Sequence, residues 1–299
     1  MTTIGIAQRE GTAGPIADAA ATYTSDATGH TAVALVDGMG HDPDIVRLAP
    51  MLAETAARVG AARGPLAGLL SAGLLVNDPG PDGVGVLAVV REDGSAQVVW
   101  AGDCRAYRWV DGELQQLTTD HNLAAYLTRA ARGAGEVPVA ALADYVGVTL
   151  GLAVPATAPF VGVPAGGTLI LTSDGVHDQV PADLIEELVR KHASDPQALA
   201  DALVAAASST PEGYRDDATA VVVAAVASPA VPDVDEAPLH VAMQLGRMAA
   251  TVRDLPPGVR GRVEQAIEQA MQTGAGEAAS VCALLDTLLD ELVAATRSA

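Results

Sequence analysis

The sequence predicts an α+β fold in which two antiparallel β-sheets pack together and are flanked by helices, with a helical extension toward the carboxy terminus. Three observations carry this prediction. Strand-like and helix-like stretches are interleaved without the regular βαβ alternation of a parallel sheet. The central strand-like runs at 84–90, 96–101 and 105–110 are joined by the short turn signals Glu92-Asp93-Gly94 and Gly102-Asp103. Past a Pro-rich stretch the apolar period becomes purely helical. The expected division is a folded domain at 1–228, a linker at 229–238 and helices at 239–299.

Residues 2–8 can form a first strand, and the Gly-rich segment 11–15 turns the chain toward a second around 19–24. Ala-Val-Ala-Leu-Val at 32–36 reads as a buried strand that stops at Asp37-Gly-Met-Gly. Asp42-Pro43-Asp44 then supplies an N-cap, a proline at the first helical position and a first-turn acid, so a helix is expected to about Arg63. Pro65 opens a second helix carrying Leu66, Leu69, Leu70 and Leu74, and Asp78-Pro-Gly-Pro-Asp-Gly83 ends it. After the central meander, 122–132 is helical in pattern. The stretch 133–167, rich in Gly, Ala and Pro, is the least periodic and is expected to be a flap. Leu-Ile-Leu-Thr-Ser leads to Asp174-Gly175, helices are expected at 181–192 and 196–208, and the run 218–226 closes the sheet. Three helices are expected at 239–255, 257–272 and 277–297, the last with a leucine stripe that closes a helical bundle on itself or, as the alternative, docks a partner or self-associates.

The 299 residues carry 37 acids against 17 bases, a formal charge of −20. Such a balance repels nucleic-acid phosphates and anionic membrane surfaces, so neither is an expected partner. Aromatics amount to two Trp, five Tyr and one Phe, which leaves the core to Ala, Val and Leu. Two cysteines make no disulfide framework, no leader is visible and no apolar run reaches the roughly 20 residues of a membrane span, so a soluble cytoplasmic protein is expected.

The chemistry lies where apolar runs meet acids. Asp37 and Asp174 each follow a strand, and Asp216 precedes one. Any one of these alone is an ordinary turn cap. Together they suggest a single site for a hard cation, with Gly38 and Gly40 letting carbonyl oxygens come close to whatever Asp37 holds.

Five motifs in order, Asp37-Gly-Met-Gly, Gly102-Asp-Cys-Arg-Ala-Tyr107, Leu117-Thr-Thr-Asp-His121, Leu171-Thr-Ser-Asp-Gly175 and Asp216-Asp-Ala-Thr219, resemble the bacterial branch of the metal-dependent, type 2C serine/threonine phosphatases. The resemblance covers about residues 1–228. It implies a β-sandwich enclosed by helices with two Mn²⁺ or Mg²⁺ ions, and a third bound more weakly. Asp37 would bridge the pair with the Gly38 carbonyl on one ion, while Asp174 and Asp216 would bind the other. Asp103 would join Asp174 at the third ion, and Asp18 would be the one survivor of the family's amino-terminal Asn-Glu-Asp. The family's phosphate-gripping arginine is replaced by Ala13, so Arg9 is the substitute offered from the same region. His41 is the candidate general acid, beside its alternative as a helix-cap neighbour. His121 is expected to fix a loop and Cys104 to be a small buried strand residue, while His30, His177, His192 and His240 are expected at the surface. The implied activity is hydrolysis of phosphoserine and phosphothreonine in proteins, in signalling that opposes a kinase or switches partners. The alternative is a phosphatase-like binding or regulatory module that has lost catalysis.

Overall fold

The structure is a computed structural model that describes residues 2–125, 145–192 and 194–224, all within the first of two units, Met1–Ala230 and Val231–Ala299. The expected linker, the three carboxy-terminal helices and most of the helix at 122–132 lie outside the described residues. The strands are β1 (Thr3–Arg9), β2 (Ala19–Thr24), β3 (Thr31–Gly38), β4 (Gly83–Val90), β5 (Ala96–Ala101), β6 (Arg105–Val110), β7 (Glu113–Gln116), β8 (Phe160–Val163), β9 (Thr168–Thr172) and β10 (Ala218–Ala224). The helices are α1 (Pro43–Arg63), α2 (Pro65–Gly73), the single turn α3 (Asp174–His177), α4 (Ala182–His192) and α5 (Pro196–Ala206).

One sheet runs β1-β10-β9-β6-β7 and the other β2-β3-β4-β5-β8, with every pairing antiparallel. Helices α1 and α2 cover the outer face of the second sheet and α5 covers that of the first, so the order of layers is helix, sheet, sheet, helix. Both faces of the central strands are therefore buried, which is why they read as continuous apolar runs rather than as alternation. In β3, Ala32, Ala34 and Val36 face the helices while Val33 and Leu35 face the other sheet. Val221 and Val223 of β10 point between the sheets, and Ala218, Ala220 and Val222 point toward α5. The small side chains have a packing consequence. Ala49, Ala53, Ala56, Ala57 and Ala61 of α1 lie fully buried against the sheet's own alanines, so helix and sheet approach closely with few aromatics.

β8 and the one-turn α3 were not expected from the sequence, whereas β7 follows the hairpin signal Asp111-Gly112. β7 and β8 are four-residue edge strands with mixed exposure, too short to show a period. β8 falls in the stretch expected to be a flap, and pairs with β5 from Ala96 to Val99. α3 is one turn long, below what apolar spacing can reveal. Asp42 occupies the N-cap of α1 but makes no side-chain capping bond, whereas Asp195 accepts from the Ala198 N–H at 3.1 Å at the start of α5.

Leu87 of β4 is fully buried against α1 and α2. Leu87→Ala should lower the unfolding free energy by about 2–5 kcal/mol, read from the urea midpoint at unchanged m-value.

Candidate metal centre

Antiparallel pairing brings the expected acids to one end of the sandwich. In the second sheet Ala19 of β2 pairs with Val36, and Asp37 pairs with Val84, so Asp18, Asp37 and the start of β4 are neighbours. In the first sheet Thr172 faces both Ala220 and Arg105, and Arg9 faces Ala218. That register gathers Asp174, the Asp216-Asp217 doublet and Asp103 at strand ends. The two groups meet through Ser173, which is fully buried. Its hydroxyl donates to Asp18 Oδ2 at 2.7 Å and accepts from the Thr219 N–H at 2.9 Å. Gln8 Nε2 adds a second link, donating to the Asp18 carbonyl at 3.1 Å and to Thr219 Oγ1 at 3.3 Å.

The amino-terminal loop between β1 and β2 is held by Asp217, whose carboxylate accepts the N–H groups of Gly11 at 2.6 Å and Ala17 at 2.7 Å. Arg215 binds the same loop through its carbonyl to the Thr12 N–H at 2.8 Å and through its guanidinium to the Glu10 carbonyl at 2.8 Å. Two glycines allow these close approaches. A Cβ on Gly38 would stand 2.7 Å from the Ala17 carbonyl oxygen, and one on Gly175 would stand 2.0 Å from that of Asp217.

Asp37, Asp174 and Asp216 are half-buried and Asp18 is buried. The Asp37 and Asp174 carboxyls lie close enough for each to bear on the other's proton affinity. Burial first, then Asp174 and Asp18, push the Asp37 carboxyl well above the usual carboxylate range. Burial, then Asp216 and Asp103, push Asp174 up to about 7. Asp18 is raised by burial against the lowering effect of its bonds to Ser173 and Thr219, and burial raises Asp103 to about 6. The charges bearing most strongly on Asp37 and Asp174 are all carboxylates. Among the described residues no group of three or more Asp, Glu, His or Cys side chains is arranged so that it could hold a metal ion. The donors present are oxygens, the set a hard divalent cation takes when waters complete its shell.

Arg9 does not turn toward these acids. Its guanidinium donates to the carbonyls of Val204, Ala205 and Ala207 at 3.3, 3.2 and 2.8 Å, capping the carboxy-terminal end of α5. The expected phosphate contact by Arg9 is thereby corrected: the strand turns its side chain toward the helix layer. His41 lies against the amino-terminal loop, with Nδ1 at 3.4 Å from the Pro15 carbonyl and 3.7 Å from Asp217 Oδ2. His121 accepts the Gly102 N–H at 3.1 Å through Nδ1 and stacks on Trp100, fixing the turn that carries Asp103. His177, expected at the surface, has a side chain only 2% exposed. It bonds Thr172 Oγ1 at 3.0 Å, because the α3 turn folds it back under β9. Cys104 is buried. Ser173, Asp217 and Gln8 were not singled out from the sequence. The Asp216-Asp217 doublet was the available signal, since successive residues in extended chain point to opposite sides.

No family model and no curated protein matches the chain, but solved structures do. It is similar to the serine/threonine phosphatase of S. agalactiae, with a TM-score of 0.63 at 17% identity, over 76% of this chain and 100% of that one. It is similar also to the PPM Ser-Thr phosphatase MsPP from Mycobacterium smegmatis in complex with cacodylate, with a TM-score of 0.59 at 25% identity over 75% and 98% of the two chains. The fold is that of the type 2C serine/threonine phosphatases. A third such structure, PstP/Ppp of Mycobacterium tuberculosis, gives 0.59 at 22% identity over 75% and 98%. The likeness covers about three-quarters of this chain and nearly the whole of each of those structures.

Arg9→Met should lower stability by about 1.5–3 kcal/mol, the usual worth of hydrogen bonds to a charged group, in urea titration. A rise in KM for a phosphopeptide without a loss of stability would restore a phosphate contact.

The sign of the acid cluster's pH dependence follows from the raised values. A carboxyl titrating near 7 folded and near 3.8 unfolded stabilises most below the unfolded value, and that contribution is lost as pH rises toward 7. In chelator, Asp174→Asn should therefore gain stability relative to the unaltered protein as pH goes from 5 to 8, measured by denaturant titration at both pH values. His177 titrates in both proteins, so its opposite pH dependence cancels from the comparison.

Proposed function

We propose that this protein is a metal-dependent protein phosphatase that transfers the phosphoryl group of phosphoserine or phosphothreonine to water, yielding the free hydroxyl and inorganic phosphate. The observation that carries this reading is the convergence of Asp37, Asp174 and Asp216, from strands of both sheets, at one end of a type 2C fold. The named neighbours are serine/threonine phosphatases, and their fold covers about three-quarters of this chain.

Asp37 with the Gly38 carbonyl, and Asp174 with Asp216, would hold two Mn²⁺ or Mg²⁺ ions, with Asp103 placed for a third beside Asp174 and Asp18 behind them. The donor chemistry fits, because poorly solvated carboxylates that press on one another are stabilised by a divalent cation. Bound there, such ions supply a water of lowered pKa and positive charge against the phosphate. The chain's own residues set the positions. Ser173 fixes Asp18 against β10, and Asp217 holds the amino-terminal loop over the same end. His41 braces that loop through Pro15. Arg105 is tied bidentately to Asp120, at 2.7 Å for the shorter contact, which leaves its guanidinium to stabilise the Asp103 turn. The substrate is a phosphoprotein in a signalling system in which a kinase adds the group this enzyme removes.

Mn²⁺ should raise the thermal midpoint of the chelated protein and start phosphate release from a phosphothreonine peptide. Asp174→Ala should reduce that release at least about a hundredfold and keep the far-ultraviolet circular dichroism of the parent. An equally active variant would remove the assignment.

A further inference from the structure

Beside the acids lies a second feature that their chemistry does not use, an open cleft of about 720 Å³. Met39, two residues beyond Asp37, lines it together with Asp42, Val76, Asp78, Asp82 and Leu152. The wall is fixed in place. Asp82 accepts the N–H groups of Gly83 at 2.7 Å and Gly151 at 3.1 Å and the hydroxyl of Thr149, the Met39 N–H donates to the Asp82 carbonyl at 3.0 Å, and the Leu150 N–H donates to the Gly83 carbonyl at 2.8 Å. All these hydrogen bonds to Asp82 come from neutral donors, and no cationic side chain is among them. Asp42 and Asp78 are exposed. Asp44, the fourth carboxylate of the lining, is paired with Arg47. Met39 and Leu152 stand 51% and 64% exposed, a large apolar surface left open next to the site.

We propose that this cleft binds a basic segment of the phosphoprotein substrate, with a Lys or Arg side chain laid along Met39 and Leu152 and its cationic head against Asp42, Asp78 and Asp82. The proposal rests on the phosphatase reading, and adds to it the class of sequence around the phosphorylated residue. Long cationic side chains bury their methylenes on apolar surface while the charged end reaches acids, which is the mixture this cleft offers. Position follows from reach. The Cα atoms of Asp37 and Met39 are at most about 7 Å apart, a span an extended peptide covers in two residues, so the basic residue sits two to four positions from the phosphorylated one. The chain's overall charge of −20 favours the same partner at long range.

The test uses two phosphothreonine peptides identical except for Arg or Glu at those positions, with Mn²⁺ present. Hydrolysis of p-nitrophenyl phosphate serves as a separate reading of the phosphatase chemistry. The expected kcat/KM ratio of Arg to Glu peptide is about tenfold at low salt and shrinks toward one at high salt. In Asp42→Asn and Asp78→Asn the ratio should fall about threefold for each carboxylate removed. An Arg-to-Glu ratio near one, with p-nitrophenyl phosphate turned over, overturns the cleft assignment and leaves the phosphatase reading intact. If no ester is hydrolysed the phosphatase reading fails, and fluorescence anisotropy of the labelled peptides decides the cleft: tighter, salt-sensitive binding of the Arg peptide supports it, and equal binding overturns it.

Discussion

The fold is organised around a constraint that is unfavourable by itself, the gathering of several carboxylates into a poorly solvated end of a β-sandwich. Asp37 comes from one sheet, Asp174 and Asp216 from the other, and Asp18 sits between them on Ser173. Burial and the neighbouring carboxylates together raise the proton affinity of Asp37, Asp174 and Asp18, because like charges in a desolvated place cannot all ionise without a counter-charge. A protein keeps such an arrangement only where the rest of the structure over-determines it, and here the pinning is visible. Backbone N–H groups hold Asp217, Ser173 ties two strands to Asp18, and two glycines give the room for carbonyls to crowd in.

The four-layer packing makes that end rigid. With strands buried on both faces, a one-residue slip would interchange the side chains packed under the helices with those packed between the sheets and spoil both contacts, so the acids at the strand ends are fixed as firmly as the core. Alanine-rich contact between α1 and the second sheet brings that helix close, and its amino terminus lies just beyond the Asp37 turn. The cleft that Met39 and Asp82 build belongs to the same edge. Its walls are set by hydrogen bonds to the beginning of β4, the strand that pairs with Asp37. The reacting end and the surface we assign to substrate recognition are thus extensions of one strand pair.

The structure also separates residues that sequence motifs treat alike. Arg9 and Asp18 lie in the same amino-terminal region, yet one caps a helix of the outer layer and the other enters the acid cluster. Asp216 and Asp217 are adjacent, and only the second receives two backbone donors from a loop some 200 positions away. His177 is removed from solvent by a single turn of helix. These are differences of side-chain direction, and direction depends on which element packs above each strand.

The sequence by itself determined most of the elements: the strands at 84–90, 96–101 and 105–110, helix α1 from the Asp-Pro-Asp start, and the acids at strand ends were all readable from period, turn residues and caps. These are local signals, carried by neighbours within a few positions. The short edge strand β8 and the one-turn α3 escaped, since four residues cannot display a period, and β7 was marked only by its Asp111-Gly112 turn. Only the tertiary structure decided which acids share one end, that Ser173 and Asp217 tie the site together, and that Arg9 turns away from it. Those outcomes depend on antiparallel register between segments far apart in the chain, where contact is made by packing and hydrogen bonds that no local stretch encodes.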